Sequence, residues 1–71
     1  MATLIKSNMA GTVLRVLVKP GDTVKVDQDV LAIESMKMEM TVPATSAGKV
    51  EAVLVSVDDF IQEGQDLIRL G

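Results

Sequence analysis

The 71-residue chain has no cysteine, no histidine, no tryptophan and no tyrosine. Lack of cysteine excludes disulfides and thiolate metal sites. Lack of histidine removes the commonest metal ligand and the usual acid/base near neutral pH. Phe60 is the only aromatic residue and the net charge is −3. Stacking on bases therefore has almost nothing to work with, and no basic footprint for nucleic acid exists. No apolar run approaches the roughly twenty residues of a membrane-spanning helix. The start, MATLIKSN, lacks the apolar core and cleavage site of a signal peptide. The expectations are no nucleic-acid partner, no membrane partner and a cytoplasmic location. A chain this short forms one domain, residues 1–71, and buries only about 60% of its unfolded surface. Little of that volume is left for an enzyme's pocket, so the domain is expected to be a non-catalytic monomer.

What the chain does have is apolar residues, 48% of the total, in short runs separated by Gly, Pro and Asp. The longer runs are Thr12–Val18, Asp29–Glu34, Met38–Val42, Lys49–Val55 and Asp66–Leu70. Shorter ones lie at Thr3–Ile5, Thr23–Val26 and Phe60–Gln62. None has a sustained helical period, and most are too short for stable helices. Short strands at regular turn spacing indicate an all-β sandwich or barrel. Pro20-Gly21 is a turn signal, since Pro presets φ and Gly accepts positive φ.

The chain also repeats itself. Displacing Ala10–Glu34 by 37 residues lays it on Ala47–Gly71. Identities then fall at Gly11/Gly48, Val13/Val50, Val16/Val53, Leu17/Leu54, Val18/Val55, Asp22/Asp59 and Gln28/Gln65, among others. Two turns exchange residue types, Gly21 lying on Asp58 and Asp27 on Gly64. Both types tolerate left-handed backbone, so the same turn is expected in each half. Two similar β halves related by a pseudo-twofold and sharing one core follow from this.

The segment joining the halves begins with Glu34-Ser35-Met36-Lys37-Met38-Glu39-Met40. Three of the chain's five methionines crowd one lysine here. Apolar runs flank the segment on both sides, so a compact chain has to reverse within it. A two-residue hairpin at Met36-Lys37 would set Ser35 opposite Met38, Glu34 opposite Glu39 and Ile33 opposite Met40. Tight hairpin turns favour Asn-Gly, because both central residues take positive φ. Met-Lys would cost roughly 1–2 kcal/mol per residue in that conformation, and Glu34 opposite Glu39 adds like-charge repulsion. Local sequence thus opposes the turn that the architecture requires, which is where function is expected. A plain alternative makes Met36, Met38 and Met40 one inward strand face, filling a core gap. Another makes them an adaptable contact surface for a partner. Lys37 at a hairpin tip would be presented to an enzyme that acylates its amine. Lysine amines are largely protonated near neutrality, so that enzyme has to bring an activated acyl donor and accept the proton. Glu34 and Glu39 are expected to be exposed beside Lys37, available to a cationic surface.

Glu34–Met40 resembles the biotin attachment motif, and the chain from Ala2 to Leu70 resembles the biotinyl/lipoyl attachment domain family. Supporting segments are Met9–Val13, Val18–Val24, Val42–Ala44, Gly48–Val50 and Phe60–Gln65. Asn8 departs from the family's frequent proline, and Asp27 and Asp58 from its frequent turn glycines. The resemblance implies a flattened β-barrel, or barrel-sandwich hybrid, of two four-stranded antiparallel sheets. It implies that Lys37 carries covalent biotin through an amide, with Met36 and Met38 recognised by the ligase. It further implies biotin protein ligase, a biotin carboxylase and a carboxyltransferase as partners, the domain carrying carboxybiotin between the last two. Lipoate on the same lysine, serving an acyl-transferring complex, is the alternative cofactor, and a domain accepting both cofactors is a further alternative. The chain looks like a minimal biotinyl domain, either free-standing or part of a longer carboxylase chain.

Overall fold

The structure, a computed structural model, describes residues 3–71. Ala2, where the family resemblance begins, lies outside the described residues. Among the described residues eight strands form: β1 Thr3–Lys6, β2 Gly11–Val16, β3 Thr23–Val24, β4 Asp29–Ser35, β5 Met38–Pro43, β6 Gly48–Val53, β7 Phe60–Ile61 and β8 Asp66–Leu70. They pair into two four-stranded antiparallel sheets, ordered β1-β8-β6-β3 and β5-β4-β2-β7. The fold is the expected barrel-sandwich, 34 × 18 × 18 Å in extent.

The sequence repeat is a repeat of hydrogen bonds. Val13 N–H donates to the Asp59 carbonyl, and Val50 N–H to that of Asp22, both at 2.8 Å. Leu17 N–H donates to Val30, as Leu54 N–H does to Leu67. Asp27 N–H donates to Ala44 and Gly64 N–H to Ser7. In each sheet order the image of every strand occupies the same place: β1 with β5, β8 with β4, β6 with β2, β3 with β7. The buried core follows suit, as pairs Ile5/Val42, Val13/Val50, Val18/Val55, Val24/Ile61, Val30/Leu67, Leu31/Ile68 and Ile33/Leu70. β1 and β2 turn alternate side chains inward, whereas β4 buries Val30, Leu31, Ala32 and Ile33 in succession, and both halves fill one shared core with aliphatics. Truncating a fully buried member such as Ile33 or Leu70 to Ala would cost about 2–5 kcal/mol.

The turn exchange holds in detail. Gly21 (φ 97°), Asp58 (φ 77°), Asp27 (φ 71°) and Gly64 (φ 84°) all take left-handed backbone. Several strands end earlier than their apolar runs. β3 stops at Val24 and β7 at Ile61, rather than at Val26 and Gln62. The reason is the same in both. Lys25 N–H donates to Gln28 Oε1 at 3.1 Å, and Gln62 N–H to Gln65 Oε1 at 3.0 Å. A side chain thus takes the backbone donor that a strand would need. β2 and β6 end at Val16 and Val53, although Val18 and Val55 remain buried.

Candidate functional site

The β4–β5 pair is the longest ladder in the molecule, and its end is the turn at Met36-Lys37. The register is the expected one: Ser35 opposite Met38, Glu34 opposite Glu39, Ile33 opposite Met40. Met36 (φ 53°) and Lys37 (φ 63°) both have positive φ, the sign a type I′ hairpin needs. Neither residue has a side chain that eases this conformation, so the turn is held by the ladder below it. Gly11, at the start of β2, is part of that support. A Cβ on Gly11 would come within 2.5 Å of the Glu34 carbonyl oxygen. Only glycine lets β2 close against β4 just beneath the turn.

The methionines do not form an inward face. Met36 is 92% exposed, Met38 62% and Met40 37%. Register sets Met38 and Met40 on the same face as buried Ile33, but they run past the end of the core, where nothing covers them. The reading of all three as core fillers is therefore overturned. Met9, in contrast, packs against the core.

Glu34 and Glu39 are exposed as expected, but they are not equivalent. Arg15 Nη2 donates to Glu39 Oε2. Arg15 lies on β2 and Glu39 on β5, so the ion pair crosses the outer face of β4, the strand between them. There it counters the repulsion that Glu34 opposite Glu39 creates. Sequence reasoning missed Arg15, since nothing local links residues 24 apart on strands that are not neighbours. Lys37 itself is exposed and takes part in none of the ion pairs or side-chain hydrogen bonds found among the described residues. Among those residues no pocket opens, and no group of three His, Cys, Asp or Glu side chains gathers to hold a metal.

Fold and site together define a carrier-type β-domain: a rigid duplicated barrel with one unpaired lysine amine at the tip of a strained hairpin. The comparisons agree. The biotin/lipoyl family model, described as "Biotin-requiring enzyme", matches residues 3–70. The chain belongs to the biotin/lipoyl attachment domain family. It is 39% identical to the biotin/lipoyl attachment protein of Bacillus subtilis, over 93% of this chain and 90% of that protein. It is 41% identical to the biotin carboxyl carrier protein of Streptococcus mutans, over 97% of this chain and 53% of the relative. Over 89% of its length it is also 41% identical to the dihydrolipoyllysine-residue acetyltransferase component of the Pseudomonas aeruginosa pyruvate dehydrogenase complex, of which it covers 12%. The chain thus spans from about an eighth to about half of these last two proteins. Among solved structures, Kluyveromyces lactis urea carboxylase superposes at a TM-score of 0.90 with 32% identity, over all of this chain and 6% of that one. The lipoyl domain of the Azotobacter vinelandii 2-oxoglutarate dehydrogenase complex superposes at 0.68 with 32% identity, over 87% of this chain and 78% of that domain. Relatives thus carry either cofactor on one fold.

Proposed function

We propose that Lys37 is the attachment residue and that its cofactor is biotin. The observation that carries this reading is the tip itself. A lysine with no partner of its own projects on a left-handed turn between two exposed methionines, where a core or a hairpin alone would favour neither residue type. The tip also fits the group. An amide requires a free amine with open approach, and Lys37 has both. In the attachment step the Lys37 amine forms the amide with an activated acyl carbon. The activating group leaves with the electron pair of the broken bond, and the amine proton passes to a base of the ligase. Met36 and Met38, mobile and apolar, flank the amine where a ligase surface would close on it, and Glu34 offers that surface an unpaired carboxylate.

Biotin, when bound, carries a carboxyl group. This chain's part is to hold Lys37 on a rigid projection, which raises the effective concentration of the carried group at each partner site. Biotin protein ligase, a biotin carboxylase and a carboxyltransferase are the partners of this reading, and the cytoplasm its location. The domain catalyses neither transfer. A second reading, lipoate on Lys37, is favoured by the 41% identity to a dihydrolipoyllysine-bearing protein. The test is the intact mass of the protein after reaction with a biotin protein ligase, ATP and biotin, beside Lys37→Ala. One biotin-sized increment, absent from the variant, is expected. An increment only with a lipoate ligase and lipoate would select the second reading. No increment with either would reject both.

A further inference from the structure

The chain's only aromatic residue is spent on the surface. Phe60 is 64% exposed on β7, in a domain whose buried core is entirely aliphatic. A ring of that size usually supplies much of a small core's burial. The repeat shows that the fold does not require it: the image position is Thr23 on β3, with the same pairing to a neighbouring strand. Val57, in the adjoining turn, is 52% exposed, and its image is Pro20. The ring is therefore an addition on one of two equivalent sheet edges, the one belonging to the hairpin sheet; beside the other edge the exposed apolar residue is Val26, 55% exposed, whose image is Glu63.

Phe60 is aligned with the hairpin base. It sits opposite Thr12 on β2, and Thr12 sits opposite Glu34 on β4. Two strand spacings place Phe60 about 10 Å from Glu34 on the same outer face. An ordinary interface of about 800 Å² per partner has a radius of about 16 Å, so a protein closing on Lys37 reaches Phe60. Charge is one-sided there too. Glu34, Asp58 and Glu63 rim the patch, all exposed. Besides Lys37 the strands and turn of this sheet have one cation, Arg15, already held by Glu39. Lys19 and Lys25 flank β3, the equivalent edge of the other sheet, and Lys49 lies on β6 beside it; their images here are Ser56, Gln62 and Thr12.

We infer that Phe60 and Val57 form a second docking contact for the ligase that acylates Lys37, seated in an apolar pocket rimmed by Lys or Arg. This rests on the reading of Lys37 as the attachment site. The ligase is the occupant because it must bring its active site to the bare amine, within one lysine length of the domain. Once the cofactor lengthens that side chain, an enzyme can act on its far end without covering the sheet.

Steady-state biotinylation with a purified biotin protein ligase, ATP and biotin tests this, with the domain as varied substrate and each variant's melting curve recorded. Phe60→Thr, which installs the residue of the image position, is expected to raise KM roughly tenfold with kcat little changed, a loss typical of a buried aromatic contact. Val57→Ser is expected to raise KM about threefold, a rim-sized effect. Phe60→Tyr should stay near wild type, and so should Val26→Ser, an equally exposed apolar residue beyond β3. Wild-type KM in both Phe60→Thr and Val57→Ser, with wild type labelled at Lys37, would overturn the docking contact and leave the attachment reading intact. Normal biotinylation of Phe60→Thr combined with impaired carboxyl transfer would assign the patch to a carboxylase instead and overturn the ligase as occupant. If wild type is labelled only by a lipoate ligase, the same KM comparison is made with that enzyme. Failure of wild type to label with either would overturn both readings.

Discussion

Two kinds of left-handed turn occur in this molecule. In the first kind, Gly21 and Asp58 are images of one another, as are Asp27 and Gly64, and each pair has φ between 71° and 97°. Gly and Asp are residue types that bear this backbone at low cost. The second kind is the pair Met36-Lys37, at φ 53° and 63°, where neither side chain helps. The same backbone demand is met cheaply where the turn only connects strands and expensively where it presents an amine. The Met-Lys tip is stabilised from below, by the β4–β5 ladder, by Gly11 against the Glu34 carbonyl and by the Arg15–Glu39 pair. What distinguishes the tip is the side chains it displays, at a local cost that the duplicated frame absorbs.

That contrast can be broken most severely by moving the lysine. The double change Lys37→Met, Met38→Lys leaves composition unaltered but puts the amine one place down the β5 arm. Cofactor attachment is expected to fall more than tenfold, because the amine leaves the tip. Near-normal labelling of that variant, by mass spectrometry, would mean that the tip geometry is not what the ligase reads.

The next effect sharpens the comparison through stability. Lys37→Gly relieves a strained position and is expected to stabilise the fold by roughly 1 kcal/mol, while Gly64→Ala, with open space around its Cβ, loses about 1 kcal/mol through φ alone. For a chain this small each change would shift Tm by several degrees in opposite directions. Equal signs in thermal melts would refute the assignment of strain to Lys37.

The smallest expected effect belongs to Arg15→Ala. Both partners of its ion pair are about half exposed, and such pairs contribute under about 1 kcal/mol. Its loss should be detectable at low ionic strength and vanish as salt screens Glu34 from Glu39. A loss that does not change with salt would point to packing of the Arg15 stem over β4 instead.

Much of the architecture was legible along the chain. All eight strands fall on apolar runs, because aliphatic and β-branched residues gather where a strand packs and turn residues separate the runs, which local sequence shows directly. The repeat was legible for the same reason, and so was the exchange of Gly and Asp between turns. The hairpin at Met36-Lys37 was legible only by conflict: no turn residue was present, yet the flanking runs had to pair. Strand ends were less so, since Gln28 and Gln65 take backbone donors three residues earlier in the chain, a local side-chain capture that an apolar run does not announce. The exposure of Met38 and Met40 was ambiguous, because inward parity does not reveal where the core stops.

The sequence alone determined the β class, the duplication, the turn positions and the singular placement of Lys37, because each is a matter of period, spacing or residue type. The tertiary structure alone decided that Arg15 spans a strand to reach Glu39, that Gly11 abuts the Glu34 carbonyl, and that Phe60 shares a row with the hairpin base. Those contacts join residues distant along the chain, and only the stacking order β5-β4-β2-β7 brings them side by side.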